Sequence, residues 1–186
     1  MENLINWGPK DILLHHGPTK RLVNKYHYHS PDVGIVASYV PTERDVEDHF
    51  NIFRGVDQIE SFAQASACSC TIYSECVKMN IGPPQLAEMF FPFFLSVGQV
   101  NFHDYIEKGD TFVNIGHIKF YKFRQMVCDG RIYKVTAGFD VDAWFKNYTD
   151  ERLLAYDVSD DFKLVAELSD ITGRSIKRSL TEKQFV

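Results

Sequence analysis

Cysteine is scarce in this chain: four residues in 186, at Cys68, Cys70, Cys76 and Cys128. They show no paired CxxC spacing and no second cluster, so no zinc site is expected and no metal is assigned. Small thiols packed in a core are the simpler reading. Excess positive charge is also missing. The net charge is −5, with 20 Lys+Arg against 25 Asp+Glu, and binding nucleic acid as the main partner needs a basic footprint. No long apolar run occurs; the richest stretch, EMFFPFFLSV, contains a proline and falls far short of the roughly 20 residues that span a bilayer. The opening MENLINWGPKD is too polar for a secretion signal, so a cytoplasmic protein without a membrane partner is expected. Repeats, low-complexity tracts and linkers are missing as well, which implies one domain over 1–186.

What is present is a helix followed by many strands. GPKDILLHHGP offers one or two helical turns between a proline start and a Gly-Pro stop. TKRLVNKYHYHSPDVGIVASYVPTE reads as two strands around Ser30-Pro31-Asp32. From Val56 to about Met79, Val56, Ile59, Ala63, Cys70 and Val77 recur at helical spacing without proline or glycine. The middle of that helix, AQASACSC, is almost all small residues, so other backbones can approach it closely and a sheet is expected to wrap it. After a proline-rich link at Gly82-Pro83-Pro84, long strands are expected on either side of Lys108-Gly109-Asp110 and of Asp129-Gly130, the strongest hairpin signal in the chain. A further strand is expected over RLLAYDVS after a turn at KNYTD. Ser159-Asp160-Asp161 reads as a cap, and Phe162, Val165 and Leu168 as the apolar stripe of a short docked helix. The last dozen residues read as loose. The sum is an α+β domain, a sheet curled about one long helix.

Chemistry concentrates in DHFNIFRGVDQIESFAQAS, residues 48–66. A histidine in an apolar loop titrates near neutrality and can take a proton. A glutamate flanked by Ile59 and Phe62 is expected to be desolvated, with its pKa raised toward a proton-donating form. Gly55 has no side chain to block a carbonyl oxygen from its amide, where a helix start favours negative charge. A base, an acid and an oxyanion donor are the parts that remove a proton beside a carbonyl and expel a β-hydroxyl. Taken singly, His49 reads as structural and Glu60 as solvated or paired; together before a helix of small residues they read as an acid–base site.

The same stretch resembles the β-hydroxyacyl-thioester dehydratases of fatty acid synthesis (FabA/FabZ type), whose hallmark is Gly-His-Phe-Pro, a loop, Gly-Val, then Glu-Ala-Met-Ala-Gln. His49-Phe50, Gly55-Val56 and Glu60 to Gln64 match it in order. LLHHGPTKRLVNK and VNFHDYIEKGD resemble further marks of that family. The likeness covers about residues 10–158, with 159–186 left as a C-terminal helix and tail. It implies a hotdog fold, with His49 as base, Glu60 as the acid that protonates the leaving hydroxyl, and Gly55 as amide donor to the thioester oxygen. It also implies that Gln64 orients the acid, and Phe50, Arg54 and Val56 beside these residues are the expected substrate contacts. Arg54 reads either as a clamp on a polar part of the substrate or as the partner of a carboxylate. The implied substrate is a 3-hydroxyacyl thioester of acyl carrier protein or coenzyme A, turned over without cofactor in a homodimer, with assembly beyond the dimer left open. The sequence departs from the pattern at Asp48, in the missing Pro-Gly after Phe50, and in a loop some three residues shorter. Acyl thioesterase and non-catalytic partner subunit are the alternatives.

Other features carry less. His27 and His29 are spaced to share one face of a strand, without an evident further metal ligand. His15 and His16 fall where the family has Pro-His and read as structural. His103 and His117 lie in strands and either line a tunnel or pack. Lys119, Lys122, Arg124, Arg131 and Lys134, with Lys20 and Arg21, read either as a basic patch that captures an acidic carrier protein or as a scattered solvated face.

Overall fold

The computed structural model describes residues 3–5, 7, 8 and 16–181, the side chains at 180 and 181 excepted. The helical turns expected over 8–18 therefore lie mostly outside the described residues, as does His15. The first hairpin pairs β1 (Lys25–Ser30) with β2 (Gly34–Tyr39) around Pro31 and Asp32. A short α1 (Glu43–Val46) and β3 (Ile52–Phe53) lead to the central helix. That helix runs 25 residues as α2 (Gly55–Ala63), a π-type turn (Gln64–Cys68) and α3 (Ser69–Met79), and ends on Asn80 in the left-handed region. Pro83 and Pro84 are not a link but the first turn of α4 (Pro83–Met89), where a missing N–H costs nothing.

Strands β4 (Phe90–Ser96), β5 (Gln99–Phe102), β6 (Ile106–Glu107), β7 (Phe112–Lys122) and β8 (Gln125–Val135) follow, then α5 (Val141–Phe145), α6 (Asp150–Leu154), β9 (Phe162–Lys177) and α7 (Arg178–Thr181). All pairings are antiparallel, in the order β1-β2-β7-β8-β9-β4, with β5 also on β9 and β3 paired separately with β6. Four expectations fail here. The segment expected to dock as a helix at 162–168 is part of β9, at 16 residues the longest strand, and Ser175–Lys177 of the supposedly loose tail completes it. RLLAYDVS is not a strand: Asp150–Leu154 is helical, capped by Thr149, whose hydroxyl accepts from the Arg152 amide. Asp129-Gly130 is not a turn but lies inside β8, and the hairpin closes at Phe123-Arg124, both left-handed (φ 53° and 61°).

Gly130 is required for a different reason. A β-carbon there would overlap the Phe62 ring of α2, and one at Gly116 on β7 would come within 2.7 Å of Ser66. Glycine on the sheet and small residues on the helix together let the helix sit deep in the concave face. Phe62, Ala65, Ala67, Cys70 and Cys76 are buried in that core with Ile35, Ile132 and Ile171 from the strands. Back-bonds from Ser66 to Phe62 O (2.7 Å) and Ser69 to Gln64 O (2.6 Å) accompany the π-type turn, in keeping with the bending that such hydroxyls impose.

A second core lies on the outer face of the sheet, where Phe145, Tyr148 and Leu153 of the α5–α6 segment cover Val36, Val113, Ile115 and Tyr133. Asp142 of α5 is tied to β1 by Lys25 (2.5 Å) and His27 (2.8 Å). A bulge between Tyr26 and Tyr28 shifts the alternation, so His27 packs outward against Phe145 while His29 points inward onto Tyr73. The two histidines therefore do not share a face.

Candidate active site

Glu60 sits in the second turn of α2, where its carboxylate separates two clefts. One, about 470 Å³ including its open mouth, lies between the central helix and the β4–β9 edge, with Ala67, Cys68, Phe93, Phe94 and Arg174 in its wall. The other, wider, lies toward α1 and is bordered by Lys20, Glu47, Arg54 and Asp57. Glu60 Oε1 accepts from Gln64 Nε2 at 2.9 Å and faces His16 Nε2 at 3.2 Å. These contacts hold the carboxyl below the usual glutamate range, the His16 bond most and Gln64 after burial, which acts in the opposite direction. The expected upward shift is thus reversed: with 37% of its side chain exposed and two donors on one oxygen, Glu60 is ionised.

Gln64 does more than orient Glu60. It is 1% exposed, accepts the Leu22 amide at 2.8 Å and donates to Lys20 O at 2.8 Å, stitching residues 20–22 to the helix. His16, read from sequence as structural, arrives beside Glu60 on this stitched segment. No local motif marks it, since 44 positions separate the two residues; only the fold brings them together.

His49 stands in a tight turn after α1 in which Asp48, Phe50 and Asn51 all have positive φ. For a phenylalanine this is unusual backbone, and strain of this kind clusters at functional sites. Phe50 is 91% exposed. The His49 ring bonds through Nδ1 to Ile52 O at 2.9 Å. A carbonyl can only accept, so Nδ1 carries the hydrogen, and in the neutral ring the lone pair is on Nε2. His49 lines neither cleft that Glu60 lines.

Gly55 is the first residue of α2, a position whose amide has no acceptor within the helix, while the Asp57 and Gln58 amides both donate to Arg54 O at 3.0 Å. Its α-carbon is not open as expected: the Phe102 ring of β5 covers it, and a β-carbon there would lie 2.9 Å from that ring. Arg54 is bound to Asp57 by two bonds of 2.6 and 2.9 Å, so of its two readings the carboxylate pairing occurs. Val56 is exposed. Four of the basic residues have partners of their own. Lys119 pairs with Asp129 and Asp170, Arg131 with Glu167 and Lys134 with Asp110, while Arg124 lies over the Phe90 ring. His103 pairs with Glu167, and His117 lies in β7 away from both clefts. Ser38, His27 and Asp142 form a hydroxyl–imidazole–carboxylate line of 2.7 and 2.8 Å, but Ser38 is buried and the trio borders neither cleft. It acts as a latch for α5.

No protein-family model matches the sequence, and no curated protein matches it. Solved structures do. The dehydratase heterocomplex ApeI:P from Xenorhabdus doucetiae aligns over 96% of this chain and 98% of that one, at 12% identity and a TM-score of 0.61. An acyl-CoA hydrolase from Staphylococcus aureus aligns over 78% and 68%, at 16% identity and a TM-score of 0.45. A 1,4-dihydroxy-2-naphthoyl-CoA thioesterase from Synechocystis aligns over 78% and 83%, at 9% identity and a TM-score of 0.45. The chain has the hotdog fold. Among the described residues no helix is long and apolar enough to cross a membrane.

Proposed function

We propose that the chain dehydrates a 3-hydroxyacyl thioester to the trans-2-enoyl thioester. The observation that carries this is the fixed tautomer of His49, whose Nδ1–H is spent on Ile52 O and whose Nε2 is left as a base held at a strained turn. The base would remove the C2 proton. The developing enolate would be met by the Gly55 amide, a donor of a kind typically worth about 2.7–4 kcal/mol in a transition state. The proton for the departing hydroxyl would come from the Glu60 side. Acyl carrier protein or coenzyme A would hold the thioester, and the acyl group would lie in the cleft between the helix and β4.

Base and acid border different spaces within one protomer, so the site needs a second copy. The β4–β5 edge supports this. It presents Phe93, Phe94, Leu95 and Phe102 exposed, Phe93 and Phe94 also wall the cleft beside Glu60, and an apolar edge with no further strand among the described residues is a ready template for strand addition. Joining two such edges would set His49 of one copy near Glu60 of the other. The overall match to a dehydratase complex over nearly both full lengths agrees with this reading.

Hydrolysis of an acyl thioester is the second reading, and one observation favours it: Glu60 is held ionised, as a carboxylate that activates water would be. Intact mass separates the two. Incubated with a 3-hydroxyacyl carrier protein, the wild type should leave an acyl group lighter by one water, and His49→Ala should be slower by about a hundredfold or more. Release of free carrier thiol in place of water loss rejects dehydration.

A further inference from the structure

We infer that His16 is the proton donor on the Glu60 side of the cleft, so that the acid is a His16–Glu60 pair rather than Glu60 alone; the inference rests on the dehydratase reading. His16 Nε2 stands 3.2 Å from Glu60 Oε1, with 30% of its side chain exposed, and both residues border both clefts. Its other nitrogen, Nδ1, is buried without a partner among the described residues. Nε2 is therefore the nitrogen through which the ring exchanges hydrogen with the site. Glu60 by itself is poorly suited to donate, because His16 and Gln64 both direct N–H groups at one of its oxygens and favour the carboxylate.

The step balances without a co-reactant. Nε2 of His49 from the second copy takes the C2 proton, and the C2–H electron pair becomes the C2=C3 bond. The C3–O bond breaks with its pair on oxygen, which takes a proton from protonated His16 and leaves as water. Glu60 compensates the imidazolium charge before the transfer. His16 regains its proton from solvent through the wider cleft, and His49 returns its own. The charged groups facing the pair are mostly spent: Arg44 is bound to Asp45 and Arg54 to Asp57. Lys20, Glu47 and Arg174 remain, with the Cys68 thiol, which burial keeps protonated.

The test is kcat against pH for wild type, His16→Gln and His16→Ala on a 3-hydroxyacyl pantetheine thioester, with thiol release followed in parallel. Glutamine keeps an N–H for Glu60 but holds no acid proton. Near neutral pH, His16→Gln should lose about a hundredfold in kcat with KM little changed, and recover part of the loss as pH falls and Glu60 itself becomes protonated. A carbon-13 titration of the Glu60 carboxyl reports on the pair without turnover: in His16→Ala it should rise toward the ordinary glutamate range. A wild-type rate and pH profile in His16→Gln, or an unmoved Glu60 titration, overturns the donor role while leaving dehydration standing. Thiol release without water loss in the wild type sinks the dehydratase reading, and the donor role with it.

Discussion

Replacing Gln64 by methionine tests how closely fold and site are joined. Methionine has nearly the same length and fills an irregular gap well, so lost packing is a small part of the effect. The hydrogen bonds are the larger part. The Leu22 amide, on a residue only 7% exposed, loses its 2.8 Å acceptor, and Lys20 O loses a donor at 2.8 Å. A buried polar group left without a partner costs about 1–3 kcal/mol. The Lys20 carbonyl is nearer solvent and adds less, so the substitution should destabilise the protein by about 2–4 kcal/mol. Urea unfolding reads this directly. With a slope of about 2 kcal/mol per molar, the midpoint should fall by about 1–2 M while the slope holds. The Glu60 carboxyl should also titrate higher, since one of its two donors has gone, yet stay below the ordinary value because His16 contributes the larger share. A midpoint shift under ~0.3 M, less than ~1 kcal/mol on that slope, would show that residues 20–22 do not hang from Gln64.

Gly130→Ala places a methyl group into the Phe62 ring and should cost about 3 kcal/mol by thermal or urea melting, at the upper end of overpacking penalties, with part recovered by adding Phe62→Leu; an unchanged melt would refute the deep seating of the helix. His29 is pushed down from 6.5 to about 4 by burial, so the unfolded chain binds the extra proton more readily. Stability should therefore hold above pH 6.5 and fall by about 3 kcal/mol between pH 6.5 and 4, a loss that His29→Phe should largely abolish in pH-resolved urea titrations. Phe93→Asp and Phe94→Asp on the β4 edge should yield monomers by sedimentation and remove turnover together, whereas active monomers would refute the shared site.

The central helix was legible because Val56, Ile59, Ala63, Cys70 and Val77 recur at helical spacing with no proline or glycine between them. The position of Glu60 four residues before Gln64 was legible for the same reason. β9 was not, because it is buried on both faces: Phe162 faces the outer core while Val165 and Leu168 face the inner one, and the three imitate a helical stripe. The hairpin at Phe123-Arg124 carries none of the Asn or Gly that its two left-handed residues usually demand, whereas the Gly130 that looked like a turn answers to a phenylalanine on another element. The ionisation of Glu60 was beyond reach for a similar reason. Ile59 and Phe62 are neighbours in sequence and argued for desolvation, but the charge is decided by His16, a neighbour only in space.

The layer formed by α5 and α6 has a consequence for growth beyond one chain. Curled sheets can multiply side by side or back to back, and here the back is already occupied by the molecule's own aromatic residues, locked down through Asp142. Any further copy must therefore enlist along a rim, and the greasier rim is the one that borders the cleft beside Glu60.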